Sequence, residues 1–137
     1  MRLRCKPSVM NAETEVRRLA KRPRRDRNSY DLTVGRQYVA LGLGFWDEQV
    51  WVEIATEGDL IAPVPLLEFE IVDGRLSAFW KTRLDADGAV RMWPASFFQD
   101  NFHSRLADRE PSALTEFARV RELLEAEDEG KINRLVT

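Results

Sequence analysis

Residues 36–93 alternate apolar and polar positions with a period of two, in short runs that polar turns separate. The main runs are RQYVALGLGFW, QVWVEIAT, PLLEFEIV, RLSAFWKTRL and AVRMW. Alternation of this kind is typical of β-strands that bury one face. We therefore predict about five short antiparallel strands, arranged as a strongly bent sheet or a half-open barrel of SH3-like size.

Turn residues between the runs predict how the strands are connected. Residues 47–48, DE, and residues 85–88, DADG, each predict a tight turn, and residues 73–74, DG, predict a hairpin. Two prolines within residues 63–65 cannot donate backbone hydrogen bonds, so this segment is predicted to be an edge strand or a loop. The glycines of residues 42–44, GLG, predict a bulge or a sharp bend.

After residue 93 the apolar spacing changes to that of a helix. Pro94 suits the first turn of a predicted helix over residues 95–106. Its apolar residues recur at four-residue intervals: Phe98, Phe102 and Leu106. A second predicted helix begins at Pro111 and is stopped by Gly130. The predicted fold class is therefore α+β, with one sheet followed by two C-terminal helices.

Residues 1–27 show no sustained periodicity and are strongly basic. They hold ten Lys or Arg and three acids, a net charge of +7, whereas residues 28–137 hold eleven bases and 20 acids, a net charge of −9. A segment with few large apolar residues cannot offset the entropy lost on ordering. We predict a flexible, disordered basic arm at 1–27 and a single α+β domain at 28–137, and we expect deletion of the arm to leave the melting temperature nearly unchanged.

Three interpretations of the basic arm remain open. It is a solvated tail, upstream sequence in front of a translation start at Met10, or a segment that binds nucleic acid. The candidate nucleic-acid contacts are Arg17, Arg18, Lys21, Arg22, Arg24 and Arg25. Interleaved aromatic residues and glycine, which often accompany nucleic-acid segments, are missing from it.

Composition narrows the classes of protein further. No run approaches the roughly 18 consecutive apolar residues of a membrane span, and no secretory signal is recognised, so we expect a cytoplasmic protein without a membrane partner. The single cysteine, Cys5, and the single histidine, His103, exclude an internal disulfide and a zinc site built from Cys and His alone. We expect no cofactor and no metal.

The stretch MWPASFFQDNFH at residues 92–103 concentrates aromatic residues around that histidine. On the predicted helix, Asp100 precedes His103 by three residues, and the two could act as a base and the group that orients it. No nucleophile accompanies them, so we predict a hydrogen bond on the helix surface. A small enzyme that uses Asp100, His103 and the strand carboxylates Glu68 and Glu70 is one alternative function.

One predicted strand places a tryptophan on its polar side. Trp51 and Glu53 lie opposite the apolar residues of QVWVEIAT, on a face that is either exposed or covered by one of the two predicted helices, and we expect the face of Glu68 and Glu70 to be solvated. Tryptophan is enriched at interface hot spots, so this acidic surface is a candidate for binding a partner, unless a helix covers it. The candidate residues are Trp46, Trp51, Glu53, Glu68 and Glu70.

In outline, a short-stranded sheet followed by two helices, with an acidic surface and no catalytic constellation, resembles bacterial immunity and antitoxin proteins. The resemblance covers residues 30–130 and carries no specific motif. Proteins of that kind neutralise a toxic enzyme by covering its active site. The resemblance implies a non-enzymatic module that binds a basic protein partner, and we take this as the expected function, with the nucleic-acid and enzymatic alternatives beside it.

Overall fold

The computed structural model describes residues 1–7 and 27–131, which form two antiparallel sheets and two C-terminal helices. The strands are β1 (Arg2–Cys5), β2 (Gln37–Val39), β3 (Gly42–Trp46), β4 (Gln49–Ala55), β5 (Ile61–Pro65), β6 (Phe69–Asp73), β7 (Trp80–Leu84) and β8 (Val90–Pro94). The helices are α1 (Phe102–Ala107) and α2 (Pro111–Asp128), and two 3-10 turns cover Leu66–Glu68 and Ala95–Phe98. The α+β class is confirmed. The predicted single bent sheet or half-open barrel of about five strands is confirmed only in part, because five strands form the larger sheet, three others form a second sheet, and neither sheet closes into a barrel.

The larger sheet has five strands in the order β5-β4-β3-β8-β7, with every neighbouring pair antiparallel. The β3–β4 hairpin turns at Asp47 and Glu48, whose φ angles are 52° and 59°. Two consecutive positive φ angles are what a type I′ hairpin turn requires, so the tight turn predicted here is confirmed. β5 lies at the edge of the sheet, as its two prolines predicted.

The smaller sheet has the order β2-β1-β6, so the N-terminal strand β1 is its centre. Leu3 is fully buried there, and Met1 and Cys5 are buried on either side of it. The prediction of a flexible arm is therefore wrong for residues 1–7. The remaining arm residues 8–26 lie outside the described residues, and with them Met10, Arg17, Arg18, Lys21, Arg22, Arg24 and Arg25.

Ion pairs connect the N-terminal strand β1 to the end of helix α2. The Arg2 guanidinium lies 2.6 Å from a carboxylate oxygen of Asp128, and the N-terminal amine of Met1 lies 3.9 Å from the other. The carboxylate of Asp128 is almost completely buried, so two positive charges compensate its desolvation. Beside it, Glu127 accepts a 2.9 Å hydrogen bond from the backbone of Ala78.

The chain crosses from one sheet to the other at two places where the sequence predicted otherwise: one continuous run at residues 36–46 and a hairpin at residues 73–74. The run at residues 36–46 divides into β2 and β3, and the buried Ala40 and Leu41 form the crossing. The backbone amide of Ala40 bonds to Met1 and that of Leu41 to Glu53, so the crossing touches both sheets. The hairpin predicted at residues 73–74 is wrong, because β6 pairs with β1 and the chain then crosses to β7.

The helical region is confirmed in part. The predicted helix over residues 95–106 is broken into a 3-10 turn and α1, with Asn101 at a φ of 61° between them. The second helix is confirmed from Pro111, and Gly130, at a φ of 78°, follows its end. Both helices contribute to the common core through apolar residues: Phe102, Leu106, Ala113, Phe117, Val120 and Leu124. No helix in the described ranges is long and apolar enough to cross a membrane.

Candidate functional site

An open groove of about 850 Å³ lies where the two sheets diverge. We call it the apolar groove and define it by six residues: Phe45, Val50, Leu66, Leu67, Phe69 and Ile71. These come from the β3–β4 hairpin on one side and from β6 and the 3-10 turn before it on the other. The β7–β8 turn closes one end with Asp87, Gly88 and Ala89.

The groove is the place where the shared core opens to solvent. On β6, Phe69 is buried, whereas Ile71, two residues further along the same face, is 55% exposed. On β3, Leu43 is buried and Phe45, again two residues along, is 42% exposed. Both strands therefore carry their core-facing side chains beyond the point at which the opposite sheet covers them.

Leu67 adds a third exposed apolar side chain to the groove. It is 69% exposed because the 3-10 turn Leu66–Glu68 directs it outward, although its position in PLLEFEIV predicted a buried strand residue. Scattered exposed apolar residues are ordinary on protein surfaces, but contiguous ones around a concave surface mark interaction sites.

The rim of the groove is acidic. Asp47, Glu48 and Asp87 are exposed at its edge, and Lys6 is the basic residue that lines it. Within the described part of the chain none of these three acids forms an ion pair. Asp47 and Glu48 sit in the hairpin turn, so the backbone conformation of the turn holds their position. The rim therefore presents uncompensated negative charge beside apolar surface.

The predicted tryptophan surface lies on the other face of the larger sheet. Trp46 and Trp51 stack with ring centroids 5.3 Å apart and nearly parallel planes, and the Trp51 indole donates a 3.1 Å hydrogen bond to the carbonyl of Trp46. Both rings are half-buried. Trp51 thus already has aromatic and hydrogen-bond partners within the protein, while Trp46 also reaches the lining of the groove.

Cationic and aromatic side chains continue this stack across the sheet. The guanidinium of Arg91 lies 5.1 Å from the Trp46 ring and 5.4 Å from the Trp93 ring. Trp93 stacks on Phe98 at 5.1 Å, and Arg83 lies 4.7 Å over Phe98. The sequence did not predict this row of stacked rings and guanidinium groups, because its members come from four strands and a 3-10 turn.

Two glycines of β3 leave space for the indole rings of Trp93 and Trp46. A Cβ atom at Gly42 would lie 2.6 Å from Cδ1 of Trp93, and one at Gly44 would overlap the six-membered ring of Trp46. Both glycines were predicted as markers of a bulge or bend. They lie inside regular β3 pairing, where the close approach of an indole ring explains the absence of a side chain.

The expectation that Glu68 lies on a solvated face is wrong, and Glu53, on the strand face of Trp51, is buried as well. Glu53 is 4% exposed, and burial raises the pKa of its carboxyl to about 7, with the charge of Arg91 opposing the shift. Glu68 is buried in the 3-10 turn, whereas Glu70 is exposed and lies 3.4 Å from Arg4. Glu70 belongs to the smaller sheet and Trp51 to the larger, so the predicted acidic surface centred on Trp51 is not assembled.

The predicted pairing of Asp100 with His103 is also wrong. Asp100 is exposed in the turn before Asn101, outside α1, and the described residues show no hydrogen bond between its carboxylate and the imidazole. His103 packs instead on the rings of Trp93 and Phe97, at 4.9 and 5.7 Å, and burial lowers its pKa. No group of three or more His, Cys, Asp or Glu in the described ranges is placed to hold a metal.

The chain matches no protein-family model, and comparisons with curated proteins and with solved structures likewise give no match.

Proposed function

We propose that this protein is a binding module that holds an apolar segment of a basic protein partner in the apolar groove. The observation that carries the proposal is the juxtaposition of three exposed apolar side chains, Phe45, Leu67 and Ile71, in one concave surface. Their removal from water would supply the main favourable free energy of association.

The charge of the rim specifies the kind of partner. Asp47, Glu48 and Asp87 would meet Lys or Arg residues that flank the apolar segment of the partner. Complementary charges at a rim chiefly raise the association rate and select among partners, whereas buried apolar contacts slow dissociation. The negative net charge of residues 28–137 acts in the same direction.

The distribution of polar groups favours a peptide over a small polar ligand. A small-molecule site normally directs several polar groups into its interior, whereas the apolar groove carries its charged groups on the rim. An inhibitor of the immunity or antitoxin type, which covers a basic enzyme surface, is the most concrete form of this function. In that form the groove, rather than the Trp51 face, makes the central contact.

Selection from a displayed library of random peptides tests the proposal. We expect selected peptides to carry two or more large apolar residues flanked by Lys or Arg. Leu67→Ser should weaken their binding by about tenfold, the loss expected when one interface leucine no longer covers apolar surface.

Leu84→Ser is the matched control for this substitution. Leu84 is 71% exposed, like Leu67 at 69%, but it lies on β7 and does not line the groove. Both variants remove an exposed leucine, so neither should unfold the protein. The proposal fails if no peptide is selected, or if both variants bind the selected peptides as the parent protein does.

A further inference from the structure

We propose that the partner segment binds as an added β-strand along the open edge of β6, with alternate side chains in the apolar groove. The inference rests on the proposed function and specifies the form in which the partner binds. Added strands gain affinity from main-chain hydrogen bonds and specificity from pockets for alternate side chains.

Among the described residues, no strand pairs with the outer edge of β6. β6 ends the smaller sheet, with β1 as its neighbour on one side. The amide of Lys6 donates a 2.9 Å hydrogen bond to the carbonyl of Glu68, whereas the amide of Cys5 bonds on the opposite side, to Arg36. Residue pairs in an antiparallel ladder alternate between hydrogen-bonded and non-hydrogen-bonded pairs. Since Lys6 and Glu68 are hydrogen-bonded, Arg4 and Glu70 form the next hydrogen-bonded pair, and the backbone N–H and C=O of Ile71 point away from β1.

The length of the open edge is limited at both ends. The amide of Phe69 is already bonded to the carbonyl of Leu66, which closes the preceding 3-10 turn. Beyond Ile71 the register shifts, because Leu3 pairs with Ile71 and Arg2 with Asp73, which leaves Val72 as a bulge. The edge therefore offers the carbonyl of Phe69 and both peptide groups of Ile71, enough to align a short strand.

The same two residues supply the hydrogen-bonding groups and part of the groove. The side chains of Phe69 and Ile71 line it, so a strand beside β6 would direct every second side chain towards Phe45 and Val50. The intervening side chains would lie on the opposite face of the sheet, the face on which Glu70 of β6 is exposed. A segment that alternates apolar and basic residues meets both requirements.

Charge favours a different protein over a second copy of this chain. Pairing of two β6 edges would bring together the acidic rims of both copies, and Asp47, Glu48 and Asp87 form no ion pair among the described residues. Like charges brought together at an interface are unfavourable. The other edge strands, β2, β5 and β7, contribute no residue to the lining of the groove. β7 also carries Lys81 and Arg83, charges of the kind that protect edges from pairing.

Three kinds of synthetic heptapeptide test strand addition with the full chain. The first alternates lysine and valine, KVKVKVK, with acetylated and amidated ends. The second is KKVVVKK, with the same composition and charge but without alternation. The third kind is the alternating peptide N-methylated either at all valine amides or at all lysine amides. Binding is measured by fluorescence anisotropy of labelled peptide.

We expect the alternating peptide to bind at least tenfold more tightly than KKVVVKK, and Leu67→Ser to weaken it while Leu84→Ser does not. Amides alternate sides along a strand, so one N-methylated peptide should lose at least tenfold in affinity and the other should bind like the parent. Hydrogen exchange at the amide of Ile71 should slow in the complex.

The outcomes separate the two proposals. If the alternating peptide binds in a way that depends on Leu67 but both N-methylated peptides bind equally well, the groove is the site and strand addition is wrong. Equal binding of the alternating and KKVVVKK peptides also overturns strand addition. A dimer in sedimentation velocity that Leu67→Ser dissociates would make a second copy the occupant and overturn the inference. If, in addition, no peptide is selected from the displayed random library, the proposed function itself is refuted.

Discussion

Replacement of Leu3 by alanine tests whether the N-terminal segment belongs to the fold. Leu3 is fully buried in β1, the central strand of the smaller sheet, and it is part of the common core. Replacing a buried leucine by alanine removes its transfer free energy and leaves a cavity, at a typical cost of about 3 to 5 kcal/mol. Strands lie on both sides of Leu3, which limits the collapse of that cavity. We therefore expect Leu3→Ala to lower the free energy of unfolding by about 3 kcal/mol.

Urea and thermal unfolding followed by circular dichroism measure this change. For a domain of this length, 1 kcal/mol corresponds to about 4 °C, so we expect the melting temperature to fall by about 12 °C. Arg4→Ala is the matched control on the same strand, since Arg4 is exposed and makes one surface ion pair, with Glu70 at 3.4 Å. If Leu3→Ala unfolds at the same temperature as Arg4→Ala, β1 is not part of the core and the sequence-based prediction of an arm was correct.

Further predictions concern one thiol, one carboxyl and one glycine. Burial raises the pKa of Cys5 to about 11, so Cys5 should react with Ellman's reagent only after denaturation, and rapid reaction of the native protein would show that β1 is open. The pKa of Glu53 is raised to about 7, so the wild-type protein should lose up to about 3 kcal/mol of stability as the pH rises from about 4.5 to 7, because the buried carboxyl must then ionise. Urea titrations should find Glu53→Gln more stable than the wild type at pH 8 but not at pH 4.5. Gly42→Ala should displace Trp93, destabilise the protein by about 1 to 3 kcal/mol and change the near-ultraviolet circular dichroism spectrum; an unchanged spectrum and stability would contradict the close approach of the indole.

Local sequence determined those elements whose requirements are themselves local. The two turn residues 47–48 follow a strand with alternating residues and precede another, and their backbone conformation depends on little beyond the hairpin. Pro63 and Pro65 exclude a central strand wherever they occur, because they lack an amide hydrogen. Helix α2 was predicted from Pro111 because 18 residues provide several repeats of its apolar spacing.

Tertiary structure alone decided which faces are buried and which strands are neighbours. A period of two identifies the two faces of a strand but does not identify the one that the rest of the fold covers, so the sequence left open whether the face of Trp51 and Glu53 is buried. The four residues of β1 are too few for their alternation to stand out within a basic segment, and pairing with β2 and β6 holds them in place. The apolar groove likewise could not be predicted, because Phe45 and Ile71 meet only where two sheets, formed from distant parts of the chain, diverge.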